Sequence, residues 1–433
     1  MFQSPVQNGV SSRLGKFWGN RLNGLNCLNE FCVWAFLFFL PLKTKGHLSN
    51  FFLALGLLST VLLLWGRGRR LYHSRRLWLT WAFFGLTVLS SLFYSEDILY
   101  SLQSVRQDIL AGFLAFFFCL HAIDSPARLR RLWIALIVIS VFYISGGAFP
   151  VIPQTFLGGK YPLFSRASSF CVDFAHFAAL LSLLAPYLLL FPRAFRPRRV
   201  WMWGLGAVFL LFLLAVYNSG TRILWPALII GFTAYLMFIC KRKLLILAAG
   251  ILLLAASGAA LVMWPGAVDH GEEWDTFLED PQATGGTAGD LLTVWSFSWD
   301  YLTEHPWQGI GYGRYNFERA FPEFMEGKNP LLGHTHNTFV DLAVQLGLQG
   351  LAVFIIFLAF IFKTIRPPFP PAPGDLPACF RLAVCLMFLI FMVRNSTDNL
   401  FVGSSAEFFW ALTAAALASL RATAAFDQAG YKD

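Results

Sequence analysis

Charge is scarce in this sequence. Asp, Glu, Lys and Arg make up 13% of its 433 residues, against roughly 25% in soluble domains. With 57% of residues hydrophobic, the surplus of apolar side chains excludes a globule wrapped in a water-facing shell. Cysteine is sparse too. The seven, at positions 27, 32, 119, 171, 240, 379 and 385, lie mostly in or beside apolar runs, so no disulfide framework is expected. No Cys/His cluster has the spacing of a metal site. A Walker loop, a GxGxxG and a GxSxG are all missing, which removes support for ATP-driven and serine-hydrolase chemistry. The apolar runs do not alternate with polar residues, which excludes a closed membrane barrel. The first 23 residues are polar and the run after them lacks a small-residue cleavage site, so no cleavable signal peptide is expected.

What the sequence has in abundance is apolar length. The mean hydropathy is +0.59, and there are 46 Phe and 15 Trp. About twelve stretches approach the roughly 20 residues needed to cross a bilayer as a helix. They lie near 24–42, 48–66, 77–94, 109–123, 133–149, 170–191, 200–217, 223–240, 244–264, 338–362, 382–394 and 401–420. The fold class predicted is an all-α polytopic membrane protein of about twelve transmembrane helices.

Lys and Arg set the orientation. When the gaps between stretches are numbered alternately, one set holds 23 of the 33 basic residues in short loops. It includes Arg67, Arg69, Arg70, Arg75 and Arg76, then Arg193, Arg196, Arg198 and Arg199, then Lys241, Arg242 and Lys243. That set is predicted to be cytoplasmic, together with both termini. The net charge of +9 is then an orientation signal and a contact with anionic headgroups. Charges dispersed over seven short loops do not make a nucleic-acid surface.

One large loop separates stretches nine and ten and is predicted to face outside. The expected organisation is 1–264, helices one to nine; 265–337, the outer loop; 338–420, helices ten to twelve; and 421–433, a cytoplasmic tail. The loop is acidic early (Asp269, Glu272, Glu273, Asp275, Glu279, Asp280). Later it carries Trp295-Ser-Phe-Ser-Trp299-Asp-Tyr301, which reads as an amphipathic helix lying on the membrane.

Three polar segments stand at the predicted outer boundary: Tyr217 to Arg222, Gly333 to Asn337, and Arg394 to Asp398. Arg222 reads either as a snorkelling helix anchor or as an anion clamp, since the guanidinium fork suits phosphate. Arg106, Arg166, Arg314, Arg319 and Arg394 are the other outer arginines. His336 reads either as a capping or packing residue or as a general base, because a neutral imidazole accepts a proton near pH 7. Gly347 and Gly350, three apart, read as a helical face that another helix approaches closely.

The string HNTFVDLAVQLGLQG (336–350) places nine residues between His336-Asn337 and Gly347, then two more before Gly350. It resembles the signature of the O-antigen ligase and polymerase superfamily. The upstream HPWQGIGYGRYNF (305–317) is similar to that superfamily's approach to the same His, and Ser219-Gly220-Thr221-Arg222 to its Ser-Arg turn. One position departs: Leu291 stands four residues before Trp295, where members often carry an arginine, and Arg314 is the residue that would substitute.

The resemblance implies a membrane-embedded glycosyltransferase of the GT-C type in a bacterial inner membrane, with its active site periplasmic. The donor implied is a glycan on undecaprenyl pyrophosphate and the acceptor lipid A–core oligosaccharide, with neither cofactor nor metal. His336 and Arg222 would be catalytic. Arg166, Tyr312, Arg314, His334, Asn337 and Arg394 would bind substrate, and either His334 or His336 could be the base. A polymerase or another lipid-linked glycan transferase of the same superfamily is the alternative. A twelve-helix transporter or flippase is more distant, because ionisable residues within the stretches are few and no internal repeat is visible.

Overall fold

The structure is a computed structural model. It describes residues 7–42, 47–66, 74–149, 169–171, 173–240, 242–263, 287–326, 333–367 and 370–429. The early acidic run, Arg166 and most of the 150–169 segment lie outside these residues.

Among the described residues the chain is helical without strands. In order come α1 (Gln7–Phe39), α2 (His47–Gly66), α3 (Arg75–Ser90), α4 (Ile98–Ala122), α5 (Pro126–Ala148), α6 (Phe174–Phe195), α7 (Arg199–Asn218), α8 (Leu224–Ile239) and α9 (Lys243–Met263). The loop region supplies α10 (Thr287–Glu304), α11 (Asn316–Ala320) and α12 (Pro322–Met325). Then follow α13 (Thr338–Ile365), α14 (Leu376–Arg394) and α15 (Gly403–Ala429). Nine helices among the described residues are long and apolar enough to cross a membrane; α8 and the Lys243–Ser257 part of α9 are shorter apolar helices. The chain is a multi-pass membrane protein. Helix is the only form that hydrogen-bonds its whole backbone within one segment in hydrocarbon, and the starts are written in side chains. Ser74, Asp97, Ser125, Asp173 and Asp375 each accept from a first-turn amide.

The outer surface is apolar where a soluble protein would be polar. Phe93 is 93% exposed, Trp203 82% and Leu244 84%, an arrangement that lipid solvates and water does not. Inside, α4 packs on α15, α6 on α14, α1 on α2 and α3 on α13. Hydrocarbon gives apolar helices little reason to leave it, so close packing has to hold the bundle. Glycines make the room. A Cβ on Gly112 would stand 2.8 Å from Trp410, one on Gly56 2.3 Å from Phe118, and one on Gly231 2.4 Å from Ile390. Loops assigned to one side touch each other. The Arg193 side chain and backbone join the 371–374 turn, and Tyr312 and Asn316 meet Ser91 and Ser101.

Three expectations change. The fourth helix begins at Ile98, not near 109, so Arg106 and Asp108 lie within it. The polar residues masked its start, and Asp108 is tolerated there because it is paired inside the bundle: Gly403 N and Tyr312 Oη donate to it. The Trp295–Tyr301 helix exists, but Val294, Ser298 and Leu302 on it are buried, in one cluster with Phe317, Ala343 and Val344. Its apolar face therefore covers protein at the start of α13. Gly347 does not offer a helical face: it has φ +73° and breaks α13.

Candidate active site

The break in α13 shapes everything around it. At Gly347 the backbone leaves helical geometry, which frees the carbonyls of Val344 and Gln345. The 306–313 segment takes them up: Ile310 N and Gly311 N donate to these two oxygens at 3.1 Å each, and Leu348 N donates to Pro306 O at 2.9 Å. The approach is so close that a Cβ on Gly309 would lie 2.2 Å from the Gln345 oxygen. Gly311 and Gly313 both have positive φ, and Gly313 N donates to Gln345 Oε1 at 3.0 Å. The glycine-rich HPWQGIGYG string is thus a strap that completes a broken helix, and Arg314 is the next residue along it.

The other wall is the N-terminus of α13. Asn337 caps it, its Oδ1 accepting from Phe339 N at 3.0 Å and Val340 N at 3.3 Å. His336, just before, has φ +51°, a left-handed conformation costing about 1–2 kcal/mol in a residue with a Cβ. Its surroundings over-determine it. Thr335 N and Oγ1 both donate to Asp341 Oδ1, at 3.0 and 2.7 Å, and Trp295 Nε1 donates to Thr335 O at 2.7 Å. Thr338 Oγ1 donates to Asn395 Oδ1 at 2.6 Å. The left-handed residue folds the chain back, so that the His334 and His336 rings lie 3.7 Å apart between centroids.

The two histidines differ in what they can do. His334 is buried, and Arg314 Nη2 donates to its Nε2. Burial first, then the Arg314 charge and His336, hold its imidazole far below the ordinary value. It stays neutral, with the proton on Nδ1, and serves as the acceptor that aims Arg314. His336 has 24% of its side chain exposed and is open to a substrate hydroxyl.

Asp398 stands at the centre. Arg394 Nη2 donates to its Oδ2 at 3.1 Å, Arg314 Nη2 lies 3.6 Å from Oδ1, and His336 Nδ1 lies 4.0 Å from Oδ1. Two guanidiniums share this carboxylate, and Arg314 Nε and Arg394 Nε are buried donors without a partner among the described residues. Such donors suit an incoming anion.

The fold also makes a trio that spacing did not show. Ligand atoms of His334, His336 and Asp398 lie within 4.8 Å of one another. Its chemistry fits a cation poorly. The His334 Nε2 lone pair accepts from Arg314, both Asp398 oxygens face arginines, and a metal would stand against two positive charges.

Of the residues singled out in the sequence, Arg314, Arg394, His334 and His336 come together. Asn337 adjoins them as a cap. Tyr312 is buried beside them, its hydroxyl donating to Asp108 Oδ2 at 3.4 Å, so it braces the strap. Arg222 is exposed on the turn between α7 and α8. Its helix α8 packs on α14, which ends at Arg394. Sequence reasoning placed Asp398 at the end of a polar outer segment without giving it a role, and gave Asp341 and Trp295 no part in the site. The four-residue step from Arg394 to Asp398 was the available signal; nothing in the spacing pointed to the others.

Residues 207–355 match the sequence profile of a family described as O-antigen ligase. A curated relative, the exopolysaccharide production protein ExoQ of Rhizobium meliloti (strain 1021), is 29% identical over 176 residues, 38% of this chain and 38% of the relative. The aligned part thus spans well under half of that protein's length. The matched segment holds Arg222, the glycine strap, Arg314, both histidines and the break in α13. The resemblance carried by the motifs is borne out by this match: residues 207–355 are similar to the O-antigen ligase family.

Proposed function

We propose that the protein transfers a glycan from undecaprenyl pyrophosphate to lipid A–core oligosaccharide, as an O-antigen ligase of the GT-C type with about twelve spans. The site lies at the periplasmic face of the inner membrane, with the large loop on that side and both termini cytoplasmic. The observation that carries this reading is the pairing of one accessible histidine with two guanidiniums that share one carboxylate. The His supplies a proton acceptor and the arginines a seat for a diphosphate, which are the two needs of a transfer from a diphosphate donor.

His336 accepts the proton of the acceptor hydroxyl as its oxygen attacks the anomeric carbon. The bond from that carbon to the diphosphate breaks, and the leaving group departs with the electron pair, inverting the centre as in single-displacement glycosidase chemistry. Arg314 and Arg394 stabilise the departing charge. Arg222 meets the donor from the neighbouring helix end, and Arg166 is retained as a donor contact. Tyr312, His334 and Asn337 hold this machinery in place. The donor already carries its leaving group, so the reaction needs neither nucleotide nor metal.

A second reading is a polymerase that extends a lipid-linked glycan. The relative named for exopolysaccharide production favours it. One assay separates the two. Purified protein receives the lipid-linked donor alone, then the donor with lipid A–core. Product that forms only with lipid A–core supports the ligase. Elongation of the lipid-linked chain by donor alone replaces it with the polymerase.

A further inference from the structure

An exposed aromatic ring stands beside the histidine pair. Tyr315 follows Arg314 along the strap and is 44% exposed. Its backbone is fixed on both sides: the N–H donates to Tyr100 Oη at 3.0 Å, and the carbonyl accepts from Arg319 Nη1 at 2.9 Å. The ring meets His334 edge to face, 6.3 Å between centroids, and the His334 ring lies 3.7 Å from that of His336. Two ring steps thus lead from Tyr315 to the proton acceptor.

A tyrosine near a membrane boundary is ordinarily an anchor among headgroups. This one is set among the groups of the site. The Arg314 guanidinium carbon lies 6.0 Å from its ring centre, and the Tyr100 ring 6.4 Å away. Arg319 is an outer arginine that the reaction leaves unused. It lies over Tyr100 at 4.1 Å and pairs with Asp97 at 3.4 Å. The side chains of Arg319 and Asp97 remain 36% and 39% exposed. A guanidinium that only donates and a carboxylate that only accepts therefore border an open aromatic face.

That combination has the chemistry of a sugar subsite. A pyranose presents a face of C–H groups and a rim of hydroxyls that both donate and accept. An aromatic face covers the first, and ionised groups bond the second more strongly than neutral ones. We propose that Tyr315 stacks on a sugar ring at the reacting centre, with Arg319 and Asp97 on its hydroxyls. The inference rests on the glycan transfer proposed above and adds the residues that grip the sugar itself. Both reactants bring a pyranose to His336, the donor at its anomeric carbon and the acceptor at its attacking hydroxyl, and kinetics tells them apart.

Tyr315→Leu keeps apolar bulk and removes the flat face, while Tyr315→Phe keeps the face. Initial rates are measured with full-length protein in detergent, varying donor at saturating acceptor and then the reverse. Tyr315→Leu should raise KM for donor or acceptor about three- to tenfold, the effect of losing an aromatic contact, and Tyr315→Phe should restore it. A raised donor KM assigns the ring to the donor glycan, a raised acceptor KM to the acceptor. Arg319 is exposed, so Arg319→Gln leaves the core alone and should raise the same KM. Unchanged KM values in Tyr315→Leu, or in Arg319→Gln where the first variant does not fold, overturn the subsite. Sugar-free undecaprenyl diphosphate, titrated by native mass spectrometry, should bind Tyr315→Leu as it binds wild type. Binding weakened as much as that of the glycan donor overturns the proposal, since the ring then serves only Arg314. A wild-type protein that transfers no glycan removes the reaction and the subsite with it, whereas a failed subsite leaves the reaction standing.

Discussion

At the scale of single residues the pair of histidines divides the labour. His336 is accessible and strained, while His334 is buried and engaged with Arg314. His336→Ala should lower transfer about 10²–10⁴-fold, the usual contribution of a general base, while the protein still reaches the membrane. His334→Gln should keep some turnover and raise KM for the donor more than it lowers kcat, because it misaims Arg314. Near wild-type activity in His336→Ala, measured with defined donor and acceptor, would displace the base from this site. His334 also predicts a pH effect on stability. Its folded value is depressed. Below the ordinary value of about 6.5 the unfolded chain binds a proton that the folded site refuses. The stability due to this group is thus complete above about pH 6.5 and is lost as pH falls below it. Thermal unfolding of wild type and His334→Gln should converge toward pH 5; a constant difference across that range would contradict the sign. The trio of His334, His336 and Asp398 makes excess EDTA informative. Transfer should persist in it, and loss restored by a divalent ion would make those three residues ligands.

At the scale of elements the broken helix is the device to test. The His-to-glycine spacing was legible in the sequence, but its meaning was not. A glycine three residues from another in an apolar run reads as a packing face, because in a regular helix that is what it would be. Only φ +73° and the strap on the freed carbonyls reveal the break. Gly347→Ala forces a Cβ into the left-handed region, at about 1–2 kcal/mol, and brings it to 2.8 Å from the Trp307 oxygen. The expected result is loss of transfer with the apolar helices retained: helical circular dichroism unchanged in detergent, and faster proteolysis within 306–314. An active Gly347→Ala enzyme would show that the strap does not position Arg314.

At the scale of the whole molecule, orientation decides which face does the chemistry. Asp275→Cys and Arg242→Cys in a cysteine-free background should separate under an impermeant maleimide added from outside, with position 275 reacting and 242 protected. The reverse pattern would put the histidine site on the cytoplasmic face, where a periplasmic ligase cannot act. The contacts between loops assigned to the same side obey the alternation, but they hold equally if the whole protein is inverted. The maleimide result therefore carries the direction.

The sequence by itself determined that the chain is a bundle of apolar helices, where most of them begin and end, and which family it resembles. These are local properties: run length against bilayer thickness, capping side chains, and a spacing of His and Gly within one segment. The tertiary structure alone decided that α4 starts early enough to carry Arg106 and Asp108 within a candidate span, since Asp108 interrupts the apolar run in the sequence and is satisfied only by the distant Tyr312 and Gly403. It alone joined Arg314 from the strap, His334 and His336 from the α13 cap, and Arg394 and Asp398 from the end of α14. Those segments are far apart along the chain, and the charges that attract each other are set face to face only when the helices bearing them pack.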